Sequence, residues 1–159
     1  MNIHQFGDWL SSTAFSQAIQ VSTWAIPGIQ TVHIICLATL FATALTFSLR
    51  IAGRGLVSEP LQSLGPRLTR TIWILLVVLL CSGALLIIAE PGRTITNPAF
   101  YAKMTMLLLA MGITLWLSSV SRRQNSAPTG VHVAAAIIAM LLWMGIIVAG
   151  RLIAYIESY

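Results

Sequence analysis

Charge is what this sequence has least of. Lys, Arg, Asp and Glu make up 8% of its 159 residues, where a soluble domain carries about 25%. So few charges cannot cover a water-facing surface. Acid is the scarcer sign. The four carboxylates, Asp8, Glu59, Glu90 and Glu157, all fall outside the apolar runs, so no close carboxylate pair is present for acid–base chemistry. The two cysteines, Cys36 and Cys81, lie inside apolar runs. They read as reduced small apolar residues and exclude a disulfide scaffold. No nucleotide-binding glycine loop and no serine triad is present, and no internal repeat is legible.

What is there instead is hydrophobicity: 57% of the residues are apolar and the mean hydropathy is +0.87. The chain reads as an integral membrane protein. Its net charge of +5 is then no argument for a nucleic-acid partner, and the lipid bilayer is the first partner. Four runs, roughly 26–51, 71–89, 102–121 and 131–155, each approach or exceed the ~20 residues that cross the hydrocarbon core as a helix. Lipid offers no partners to backbone amides, so helices are the economical choice. Pro27 suits a first helical turn. Breakers separate the runs: Gly53, Gly55, Pro60, Gly65 and Pro66, then Pro91-Gly92 and Asn97-Pro98, then Pro128 and Gly130. The expected fold is all-α, a four-transmembrane-helix bundle in a single integral membrane domain over residues 1–159, led by a short N-terminal interfacial helix.

The basic residues set an orientation. Arg50, Arg54, Arg67, Arg70, Arg122 and Arg123 flank the first and third connections; Arg93, Lys103 and Arg151 lie on the opposite side. The expectation is a multi-pass protein of a bacterial inner membrane, N-out and C-out. The first 22 residues lack a basic start and a continuous apolar core and contain Asp8, so they do not read as a cleavable signal. Phe6, Trp9, Leu10, Phe15 and Ile19 mix with polar residues, as in a helix lying on the outer interface.

Against this background His33 stands out. It falls roughly 10 Å below the outer boundary by helix rise, where ionisable side chains are functional candidates. Gln30, one turn above, is placed to hydrogen-bond it. Near its depth are Cys81, Ser82 and Gly83 on the second helix, Met106 and Met111 on the third, and Met144 and Gly145 on the fourth. Haem iron accepts His alone or with Met; Cu(I) accepts His, Cys and Met. The plain alternative is a histidine hydrogen-bonded to a neighbouring helix, among methionines that fill the core. His132 starts the fourth helix at the inner side, roughly 20 Å from His33, and reads as a solvated headgroup-level residue. Small residues spaced by four, such as Ala38 and Ala42 or Ala135 and Ala139, read as packing notches.

The stretch Trp24, Pro27, His33, Leu49, Arg50, followed by a small-Gly second helix, Asn97-Pro98-x-Phe100 and Lys103, resembles an uncharacterised family of four-helix bacterial inner-membrane proteins. In layout it is similar to the copper-resistance CopD family and to HemJ, the haem-containing protoporphyrinogen oxidase. The resemblance implies a first-helix histidine, His33, that binds haem, and a cation, Lys103, opening the third helix. No histidine follows Lys103 on that helix, which departs from HemJ and leaves its reaction unassigned.

Three readings follow. In the first, a membrane b-type haem protein acts in electron transfer or as a haem-dependent membrane oxidoreductase. His33 is the axial ligand, with Met106 or Met144 as a second. Gln30 orients His33, Gly83 and Gly145 open a slot, and Arg93, Lys103 and Arg151 hold propionates. Its redox partner would be periplasmic or a quinone. In the second, a copper-binding or transport protein like CopD uses His33, Cys36, Cys81 and Met106. In the third, the chain is a cofactor-free small subunit of a larger membrane complex. Homo-oligomers are compatible with all three.

Overall fold

The computed structural model describes residues 2–54, 60–121 and 129–152; the side chains of Ile3, His4 and Arg93 lie outside that description. Seven helices occur among the described residues: α1 Ile3–Ser11, α2 Ala14–Val21, α3 Ala25–Ile51, α4 Leu61–Ala89, α5 Pro91–Ile95, α6 Pro98–Ser121 and α7 Gly130–Leu152. The four long ones are each long and apolar enough to cross a membrane. The protein is therefore an all-α, multi-pass membrane bundle. Apolar side chains such as Ile34, Ile35, Val77, Leu108 and Leu141 are exposed on its outside, the normal state of a face turned to lipid.

The spans begin where local chemistry lets them. α6 starts at Pro98, earlier than the apolar run suggests, because Asn97 caps it: the Ala99 N–H donates to Asn97 Oδ1 at 2.9 Å, and a proline costs nothing in a first turn. α4 starts at Leu61, ten positions before the expected 71, and continues through Pro66. The proline removes one backbone donor near the helix start, which the flanking turns of helix tolerate. Gly65 permits the early start. A Cβ there would stand 2.6 Å from Ser121 Oγ and 3.0 Å from Ser121 Cβ, so α4 and the last turn of α6 meet backbone to side chain.

The N-terminal lead is two helices, with the break at Ser12-Thr13. Thr13 caps α2, accepting the Ser16 N–H at 3.3 Å. α2 then lies across the end of α4. Ser16 Oγ donates to the Ile88 carbonyl at 2.6 Å, and Gln20 Nε2 donates to the Ala89 carbonyl at 3.0 Å. Both carbonyls belong to the last turn of α4, whose acceptors have no partner within the helix. Gly7 of α1 packs on Gly92 of α5, with 3.7 Å from its notional Cβ to the Gly92 Cα. These short helices mark one end of the bundle, called the capped end below.

The bundle is built twice. α3 packs along α4, and α6 along α7; the hairpins join through α3 against α7 and, more loosely, α4 against α6. The buried residues of α3 are Leu40, Ala44, Phe47, Ser48 and Ile51. Those of α6 are Ala110, Thr114, Leu117, Ser118 and Ser121, each 70 positions later. In α4, Thr69, Ile72, Leu76, Leu79 and Ser82 are buried. In α7, Ala136, Ala139, Trp143, Ile146 and Ala149 follow them at a constant 67. The repetition is one of packing, with few shared residues, and the sequence alone hides it. Leu40, Ala44, Leu76, Ala110, Trp143 and Ile146 meet in the central core.

Candidate functional site

His33 lies on α3, eight residues past Ala25 and so roughly 12 Å from the start of the helix. Its ring reaches α4. Nδ1 is 2.8 Å from Ser82 Oγ, and Cε1 lies 3.5 Å from where a Cβ on Gly83 would stand. The Ser82 hydroxyl has one hydrogen. It is well placed to donate to the Val78 carbonyl at 2.8 Å, with a longer contact of 3.3 Å to the Leu79 carbonyl. With that hydrogen committed to its own helix, Ser82 accepts from His33 Nδ1–H. The ring then carries its proton on Nδ1 and keeps a lone pair on Nε2.

The duplicated hairpin places Lys103 where His33 stands, 70 positions on, and Gly150 where Gly83 stands, 67 positions on. The contacts match. Lys103 Nζ lies 3.6 Å from a notional Cβ on Gly150, as His33 does from Gly83. Both glycines give the neighbouring side chain a groove along the paired helix. The ammonium is within electrostatic reach of the imidazole. The counterpart of Ser82 is Ala149, so the second hairpin lacks the hydroxyl.

The other sequence candidates divide. Met106 is half-buried against the central core, and its sulfur sits 2.7 Å from where a Gly145 Cβ would be. The room expected at Gly145 is filled by that thioether. Met144 is 52% exposed and turned away from the core. Gln30 is exposed, and the orienting contact on His33 comes from Ser82. Arg151 is exposed in the last turn of α7, next to the glycine that receives Lys103. The Arg93 side chain lies outside the described residues. Cys36 is half-buried and Cys81 exposed, both free. Among the described residues no three His, Cys, Asp or Glu gather as a metal site.

His132 has local work at the opposite end. The Thr129 N–H donates to His132 Nδ1 at 2.9 Å, so the imidazole closes the first turn of α7 in the manner of a capping box. Its ring lies 5.2 Å from that of Trp116 on α6. A histidine three residues after a threonine at a helix start is the signal that identifies this role.

No protein-family model, no curated protein and no solved structure matches the chain. The functional reading rests on the side chains themselves and on the resemblance in layout described above.

Proposed function

We propose that this is a membrane b-type haem protein in which His33 is an axial ligand. The observation that carries the reading is the His33–Ser82 pair: a lipid-embedded imidazole with Nδ1 pinned at 2.8 Å and Nε2 left as a donor atom. Ligating histidines usually have their other ring nitrogen held in this way. The residues fit the group on this side of the ring. Gly83 keeps bulk away from Cε1, and Lys103 offers a cation for a propionate, with Arg151 beside it. Met106, now seated in the notch at Gly145, or a partner would be the other candidate to hold the haem; Met144 is exposed. When bound, the haem supplies one-electron redox chemistry. The chain's own part is to fix the imidazole tautomer, balance anionic charge with Lys103, and keep water from the ring. The resemblance in layout to HemJ supports haem over copper, and the exposure of Cys81 disfavours the copper reading.

In this reading the chain sits in a bacterial inner membrane with the capped end outside. It exchanges electrons with a periplasmic partner or a quinone, and assembles with copies of itself or a larger complex. A cofactor-free small subunit is the second reading, favoured by Met106 filling the notch at Gly145. An absorption spectrum separates the two. The purified protein should show a Soret band that His33→Ala abolishes while helical circular dichroism is retained. A colourless protein after haem supplementation, or an unchanged spectrum in His33→Ala, overturns the haem reading.

A further inference from the structure

The two ends of the bundle differ in charge. The described carboxylates, Asp8 and Glu90, both lie at the capped end. At the opposite end α4 carries two exposed arginines, Arg67 and Arg70, and the exposed Trp73 follows one turn on. Among the described residues no acid stands there to answer them. Thr69, between the arginines, is buried against the core. The steps of three from Arg67 to Arg70 to Trp73 therefore run along the outward side of the helix.

α6 completes the patch. α4 ends and α6 begins at the capped end, so the two helices run antiparallel. Gly65 meets Ser121, and counting from that contact sets Arg67 level with Ser119 and Arg70 level with Trp116. Trp116 is 44% exposed and Trp73 38%. The His132 ring packs on Trp116 at 5.2 Å, and Trp73 lies beside Leu115 where α4 meets α6. Two guanidiniums and two indoles thus share one outward face across the two helices. The duplicated frame supplies a contrast. The equivalent positions on α7 and α3 are Ala134, Ile137, Met140 and Thr46. Those four, at the same depth, hold neither a cation nor a tryptophan, so depth alone does not dictate the patch. Arg50, further along α3, is half-buried and engaged within the chain.

Depth identifies what the patch meets. α2 lies across the end of α4 at Ile88 and Ala89. Arg70 comes nineteen residues before Ala89, roughly 28 Å along the helix, close to the ~30 Å of a hydrocarbon core. Arg70 therefore stands at the far hydrocarbon boundary, with Trp73 roughly 5 Å inside it and Arg67 roughly 5 Å outside it. That is the level of lipid phosphates, with indoles at the boundary that favours them. Deeper along the same face Ile74 and Val77 are exposed, a surface suited to acyl chains. A guanidinium pairs with phosphate through two parallel N–H donors. A zwitterionic headgroup would bring a second cation to the same place, whereas an anionic one adds none. We propose that Arg67 and Arg70 hold the phosphate of an anionic phospholipid against the outward face of α4 and α6, flanked by Trp73 and Trp116. The inference stands on this patch and does not require haem at His33.

Tryptophan fluorescence tests it directly, because Trp73 and Trp116 stand beside the arginines and brominated lipids quench indoles. Full-length protein is reconstituted in phosphatidylcholine bilayers with increasing shares of brominated phosphatidylglycerol, and in parallel with brominated phosphatidylcholine. The ratio of the two association constants is the readout. A single arginine near an anionic surface is worth about a fivefold preference, so in wild type the ratio should exceed about five. Arg67→Gln with Arg70→Gln should bring it close to one. Trp9 and Trp24 at the capped end and the buried Trp143 are common to all variants, so the change reports on the patch. Arg54→Gln removes an exposed charge beyond the end of α3 and should leave the ratio unchanged. Equal association of the two lipids in wild type overturns the proposal. So does a double variant that keeps the preference, or a loss in Arg54→Gln as large as the double variant's, which would mark a diffuse effect of net charge. The Soret band is read on the same samples, so loss of the lipid site and loss of haem are scored separately.

Discussion

The two hairpins of this protein share a packing frame and differ in chemistry. α3–α4 sets an imidazole on Gly83 and locks it with Ser82. α6–α7 sets an ammonium on Gly150 and has Ala149 where the hydroxyl would be. The buried positions repeat at fixed steps, so the frame itself does not select a function. What separates the halves is a few substitutions at equivalent positions. His33 against Lys103, and Ser82 against Ala149, give one half a hydrogen-bonded imidazole and the other a lysine without that hydroxyl partner. Thr69 and Thr114, where the other half has Ala136 and Ala44, put two threonines where α4 meets α6.

The largest expected effect comes from breaking the frame. Gly65→Val drives a side chain into Ser121, whose Oγ already stands 2.6 Å from the notional Cβ. Overpacking of this sort costs about 1–3 kcal/mol, and here a backbone must move, so the upper part of that range is expected. Thermal unfolding in detergent, followed by circular dichroism, should show a midpoint lowered by several degrees. Gly83→Ala is the control: its Cβ meets His33 Cε1 at an ordinary 3.5 Å. An equal loss in both variants would show that the meeting of α4 and α6 is not specially tight.

Next in size is the lock. Ser82→Ala leaves His33 in place but frees its Nδ1. If His33 ligates haem as proposed, loss of such an orienting contact should cost about 10–100-fold in haem affinity, read by titration at the Soret band. The comparison sharpens if the lock is copied. Lys103→His with Ala149→Ser rebuilds the His33–Ser82 arrangement in the second hairpin. If the two positions face one cofactor, the spectrum should move to that of a bis-histidine haem, with a lower potential than a His–Met pair gives. A spectrum identical to wild type would mean that the two hairpins address separate spaces.

How much of this is legible in the sequence differs by level. The four spans follow from apolar length, and His33 from depth. The Asn97-Pro98 pair even carries the start of α6, because a cap followed by proline is a local signal. The start of α4 is not legible: Pro66 reads as a breaker, and only contact with Ser121 shows why Gly65 and Pro66 lie within a helix. Rotation is the other missing quantity. Depth groups Met106, Met144 and Ser82 with His33, but apolar faces all round a membrane helix leave no polar side to mark its direction. Met144 therefore faces outward, and Ser82, not Gln30, holds the ring. The duplication is invisible for a similar reason. Between α3 and α6, only Leu37 and Leu107, Leu45 and Leu115, and Ser48 and Ser118 coincide at the 70-residue step, because lipid-facing positions accept any apolar residue.

The smallest effect concerns the N-terminal brace. α1 and α2 precede the first hairpin and pack on the end of α4. Their attachment is polar: Ser16 Oγ to Ile88 and Gln20 Nε2 to Ala89. Ser16 is fully buried. Removing it leaves the Ile88 carbonyl without that donor, and also takes from Gln20 its 3.0 Å contact with Ser16 Oγ. A hydrogen bond of this kind contributes about 0.5–1.5 kcal/mol net, small beside the packing of the long helices. Ser16→Ala should therefore leave the bundle's unfolding midpoint nearly unchanged. Its mark should be local: faster amide exchange over Ala14–Val21 and in the last turn of α4, and little change in α6 and α7. Faster exchange throughout the bundle would instead make α2 an integral part of the fold, and the comparison would then be between two unequal hairpins, the first completed by its own N-terminal brace.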